Sequence, residues 1–61
     1  MRVIDLYDIM PDEQEYKIQD FKTGHTLERC SNPYEATDTY MEYEVQGLYA
    51  DSDTIVIGIY A

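Results

Sequence analysis

Several residue types that usually hold a small domain together are scarce in this chain. It has one cysteine, Cys30, so no internal disulfide can form. With a single histidine, His25, a Cys/His zinc cluster is excluded as well. Tryptophan is absent, phenylalanine occurs once, and the isolated glycines Gly24, Gly47 and Gly58 match no phosphate-cradling loop. Basic side chains are also few: 4 lysines and arginines stand against 13 acids, a formal charge of −9. Such a chain is repelled by nucleic-acid phosphates and by anionic lipid, so direct binding to DNA, RNA or membrane is not expected. No apolar run approaches the ~18 residues of a membrane span. The longest, Ile55 to Ala61, has the length of a strand. The opening Met1-Arg2-Val3-Ile4-Asp5 places an acid where a signal peptide continues its apolar stretch, and cytoplasmic residence is the expectation.

What is present argues for one folded domain over residues 1–61. Apolar residues make up 44% of the chain and seven are tyrosines, which is too rich for a disordered acidic segment. A domain this small buries only ~60% of the surface its unfolded chain exposes. Without disulfide or metal, oligomerisation or docking on a partner becomes the expected support.

Val3, Leu6, Tyr7 and Met10 recur at helical spacing and predict a short helix over residues 3–10, ended by Pro11. Gln14 to Asp20 alternates, with Tyr16 and Ile18 on one side and Glu15, Lys17 and Gln19 on the other, as in a half-buried strand. Lys22-Thr23-Gly24 is a turn, and His25 to Cys30 returns as a second strand. Residues 31–39 read as a loop. A third strand starts at Tyr40, with Tyr43 and Val45 facing opposite to Glu42, Glu44 and Gln46, and a bulge is expected at Gly47. Asp51-Ser52-Asp53 is a hairpin turn into a last strand, Thr54 to Tyr60. That strand is apolar on both sides, Ile55, Ile57 and Ile59 against Val56 and Tyr60, so both sides need cover. The helix supplies one cover, and the loop at 31–40 or a second subunit the other. The expected fold is α+β: a short N-terminal helix packed on a small four-stranded antiparallel sheet, as a homodimer.

Residues able to do chemistry are sparse. His25 follows a turn glycine and Cys30 stands within reach only if it faces His25 across the hairpin, with nothing to activate the thiol. Asp51 and Asp53 lack the remaining ligands of a calcium loop and are turn formers. Asp12, Glu13 and Glu15 resemble a fragment of a two-metal nuclease site without its other members. No catalytic residue, metal or cofactor is expected, with a metal-dependent nuclease or nickase as the remaining enzymatic alternative.

The acids and tyrosines carry more. Glu42 and Glu44, two apart on a strand, would project about 6.6 Å apart, as would Glu13 and Glu15. This is comparable to successive phosphates on a nucleic-acid strand. Every solvated strand face places charges two apart, so a plain soluble surface is the competing reading. Tyr34, Tyr40, Tyr43 and Tyr49 interleave with Glu35, Asp38, Glu42 and Glu44, combining charge steering with anchoring rings. The candidate partner-binding set is therefore Asp12, Glu13, Glu15, Glu35, Asp38, Tyr40, Glu42, Tyr43 and Glu44, with Asp5 and Asp8 near its edge. Its partner would be the basic surface of a nucleic-acid-binding protein. The alternative is a structural or regulatory homo-oligomer whose acids only solubilise.

The segments Val3-Ile4-Asp5-Leu6-Tyr7-Asp8-Ile9-Met10-Pro11-Asp12, Tyr16-Lys17-Ile18-Gln19-Asp20 and the closing Asp53-Thr54-Ile55-Val56-Ile57 resemble small acidic accessory proteins of phages and prophages of Gram-positive bacteria. The resemblance is one of fold pattern and has no catalytic signature. It implies a non-enzymatic inhibitor of the anti-CRISPR or anti-restriction kind, several of which imitate DNA.

Overall fold

The computed structural model describes residues 1–33 and 39–61. Helix α1 runs from Val3 to Tyr7, and Val3 and Leu6 of the expected stripe are buried while Tyr7 and Met10 pack against the same core. The helix is shorter than residues 3–10, since residues 8–10 form a turn ahead of Pro11. Five residues would not stay helical in water. Here the free N–H groups of the first turn are taken up from elsewhere: Val3 donates to the carbonyl of Tyr43 at 2.9 Å and Ile4 to that of Met41 at 3.1 Å. The Arg2 N–H donates to the Asp5 carboxylate at 2.9 Å.

The four strands are β1 (Tyr16–Asp20), β2 (Thr26–Cys30), β3 (Gly47–Asp51) and β4 (Thr54–Ile59), in the order β2-β1-β4-β3. Both hairpins are antiparallel, but the central pair β1 and β4 is parallel, with Tyr16 opposite Ile55 and Ile18 opposite Ile57. The sheet is mixed, which corrects the antiparallel expectation. A hairpin encodes only its own local pairing. The contact between hairpins follows from burial, which puts the two strands with the most buried side chains side by side. Gln14 ties this seam together, its amide donating to the carbonyls of Glu15 at 2.8 Å and Asp53 at 2.6 Å.

Two further expectations are corrected. The third strand begins at Gly47, not Tyr40: residues 40–43 form turns, and Glu44 only makes an isolated bridge with Arg2. The irregularity expected at Gly47 lies instead in the first hairpin, between Ile18 and Gln19, where Leu27 is the extra residue and turns toward the core.

The core on the helix side holds Val3, Leu6, Tyr16, Ile18, Cys30, Ile57 and Ile59. Tyr40 packs onto this same core, so the one residue of the 39–40 segment that makes core contacts covers the helix side and not the other. Tyr7 and Tyr16 meet here with ring centroids 5.2 Å apart. Their hydroxyls are buried close to one another and to Cys30, with no well-formed hydrogen bond among the described residues. Burial pushes both phenols above the ordinary tyrosine value, Tyr16 further, with Cys30 and Tyr7 beside it adding to the rise.

Candidate functional site

The outer face of the sheet, opposite the helix, can be read row by row from the strand register, because residues opposite one another share a face. At one end lie Glu15, Thr54 and Asp51, with the Thr54 hydroxyl 3.3 Å from the Glu15 carboxylate. The next row across the sheet is Arg29, Lys17, Val56 and Tyr49. Beyond it come Thr26, Gln19, Gly58 and Gly47. Phe21, Lys22 and Tyr60 close the far end.

Two glycines make this face what it is. Gly47 and Gly58 are direct partners across β3 and β4, and the Phe21 ring occupies the space their side chains would take. A Cβ on Gly47 would stand 2.5 Å from Phe21 Cε1, well inside contact distance. The backbone fixes where the ring starts, since the Phe21 N–H donates to the Ile59 carbonyl at 2.8 Å. Tyr60 lies beside it at 6.3 Å between centroids, and Lys22 Nζ is 5.4 Å from the Tyr60 ring centre. On the other flank the Tyr49 hydroxyl donates to Gln19 Oε1 at 3.2 Å.

The result is a partly apolar surface. Val56 is fully buried beneath it, yet Phe21, Tyr49 and Tyr60 remain 45%, 48% and 49% exposed. Three of the chain's four cations, Lys17, Lys22 and Arg29, gather here on a molecule of charge −9. Tyr60 belongs to the second apolar side expected of the last strand, whereas Phe21 is not singled out by the sequence pattern. The signal was available in the two glycines at compatible positions of neighbouring strands, which together make room for a ring.

The expected acidic site is arranged differently. Glu42 and Glu44 stand in a turn and a bridge rather than as a row on a strand, and both are engaged with the start of the chain. Arg2 donates to Glu42 at 2.6 Å and the Met1 amine to Glu44 at 3.0 Å. Tyr43 is exposed and meets the half-buried Tyr40 edge-on at 5.7 Å. Asp12 and Glu13 are exposed in the turn after Pro11. Glu13 and Glu15 do not share a strand, because β1 starts at Tyr16. Glu15 belongs instead to the outer face. Glu35 and Asp38, with Tyr34, lie outside the described residues. Tyr49 is separated from Tyr40 and Tyr43 by the sheet itself.

His25 and Cys30 bracket β2. His25 is exposed just before its first residue and Cys30 is buried at its last, a strand length of ~16 Å apart. The hairpin does not bring them face to face. Among the described residues no three histidine, cysteine, aspartate or glutamate side chains converge as metal ligands, and no helix is long and apolar enough to cross a membrane. Comparison with known proteins finds no match to a family model, to a curated protein or to a solved structure.

Proposed function

We propose that the chain is a non-enzymatic acidic binding protein that docks on the basic, nucleic-acid-binding surface of another protein. A phage-type inhibitor of a CRISPR effector nuclease or restriction enzyme is the form the resemblance implies. One observation supports this above others: the charges are sorted. Lys17, Lys22 and Arg29 sit on the outer face, which leaves Arg2 as the only lysine or arginine for the acids around the helix. Asp5, Asp8, Asp12 and Glu13 project from the helix and the turn after it, all exposed. The acid at Asp8 caps the C-terminal end of α1, where negative charge is unfavourable and the last turn holds no cation. A patch of this kind steers toward a basic channel and its binding weakens as salt rises.

Glu42 and Glu44 are poor probes of this reading, because they also hold Arg2 and the chain start. Asp8→Asn and Glu13→Gln are the better pair. Each is expected to weaken binding of a nucleic-acid-handling partner about threefold while leaving the fold unchanged. Undiminished binding by the double variant would contradict the reading.

A further inference from the structure

We propose that the outer sheet face is a self-association surface on which a second copy of the chain stacks with its strands running the opposite way. The inference is independent of the function proposed above, which uses the helix side of the molecule.

The face needs a cover. β4 is apolar on both sides, and its helix-side residues Ile57 and Ile59 are buried by the core. On the outer side the cover supplied by the described residues is thin. The Phe21 ring spans Gly47 and Gly58, with Tyr49 on the strand beside Val56 and Tyr60 at the end, and all three rings stay about half open to solvent. Ringed surfaces of this sort are the anchoring centres of interfaces.

Charge identifies the occupant. Along the strands the face carries Glu15 and Asp51 at the end where β1 and β4 begin, Lys17 and Arg29 in the row beside them, and Lys22 at the end where the strands finish. A two-fold axis lying in the interface and crossing the strands reverses one copy relative to the other. The Lys22 end of each copy then meets the Glu15 and Asp51 end of its partner, and the Tyr49 row of each copy meets the row of Gly47 and Gly58 that the partner's Phe21 ring covers. An axis along the strands would set like charge on like. A basic peptide would be repelled by Lys17, Lys22 and Arg29, and a nucleic-acid strand lying along the strands would meet Glu15 and Asp51. A second copy satisfies both ends at once. Four strands of five or six residues offer a small patch, so a reversible dimer of micromolar affinity is expected.

Sedimentation velocity at ~0.15 M salt tests this through charge exchange. The wild type should dimerise below about 100 µM. Lys22→Glu alone and Glu15→Lys alone should each weaken the dimer about tenfold or more, because two-fold symmetry doubles every altered contact. An equal mixture of the two variants should recover wild-type affinity, since both altered contacts become attractive in the mixed dimer. Recovery on mixing cannot come from a folding defect in either variant, and thermal melts by circular dichroism check each one separately. A wild type that stays monomeric at ~100 µM overturns the proposal. So does a dimer indifferent to both substitutions, or single variants that mixing does not restore. Saturable binding of a 20-nucleotide oligothymidylate, abolished by Lys22→Glu, would assign the face to nucleic acid instead and equally overturn it.

Discussion

The Phe21 ring fills the space in which Gly58 would carry a side chain, and the same ring does so for Gly47 on the neighbouring strand. A residue of one hairpin is thereby locked to both strands of the other. Gly58→Ala is expected to destabilise the fold by about 2 kcal/mol, the usual cost of overfilling a packed position. Adding Phe21→Ala should return part of that loss, giving a coupling energy that a double-mutant cycle measures in chemical denaturation. Simple additivity of the two substitutions would contradict the contact.

Tyr16 is fully buried, and its hydroxyl lies beside Tyr7 and Cys30 without a well-formed hydrogen bond among the described residues. Removing that hydroxyl with Tyr16→Phe should stabilise the protein by about 1 kcal/mol at neutral pH. The pH dependence has a definite sign. The folded state holds Tyr7 and Tyr16 protonated beyond the value near 10 at which an unfolded tyrosine ionises. Their contribution is fully present below about pH 10 and is lost as pH rises from there toward the folded values. Urea melts should show stability falling above about pH 10, with a shallower fall in Tyr16→Phe. An unchanged alkaline limb in that variant would be evidence against the buried phenol.

Ser52 adopts a φ of 55°, the left-handed region, in the turn between β3 and β4. A serine there carries a steric cost of about 1 kcal/mol that glycine avoids. Ser52→Gly should therefore raise the melting temperature by several degrees, whereas a lowered one would show that the serine side chain is needed in the turn.

Much of the fold was legible wherever local pattern determines local structure. The stripe of Val3, Leu6, Tyr7 and Met10 located the helix; alternation located β1, the turn at Lys22-Thr23-Gly24 located β2, and the apolar run after Asp51-Ser52-Asp53 located β4, each within two residues at its ends. The failures lie where tertiary contacts decide. Tyr40 to Gln46 alternates like a strand, yet this segment wraps the helix start, giving its carbonyls at Met41 and Tyr43 to the N–H groups of Ile4 and Val3. Nothing in its own sequence registers that demand. The parallel pairing of β1 with β4 joins segments almost forty residues apart and follows from burial rather than from a turn. The candidate acidic set was read as rows on strands, and moving the strand moved Glu42 and Glu44 off it into pairs with Arg2 and the amino terminus. The outer aromatic face was half legible. The doubly apolar last strand signalled a covered second face, but the role of Phe21 depends on Gly47 and Gly58 meeting across two strands.

The central claim is that the acidic helix side binds a protein whose basic surface otherwise holds nucleic acid. Its most direct test is capture on immobilised protein from nuclease-treated bacterial lysate at ~0.15 M salt, followed by elution with DNA. The account predicts that a nuclease or restriction enzyme is retained, is released by DNA, and is retained far less by the Asp8→Asn, Glu13→Gln double variant. Recovery of the chain's own copies alone, or of a partner that DNA does not displace, would contradict it.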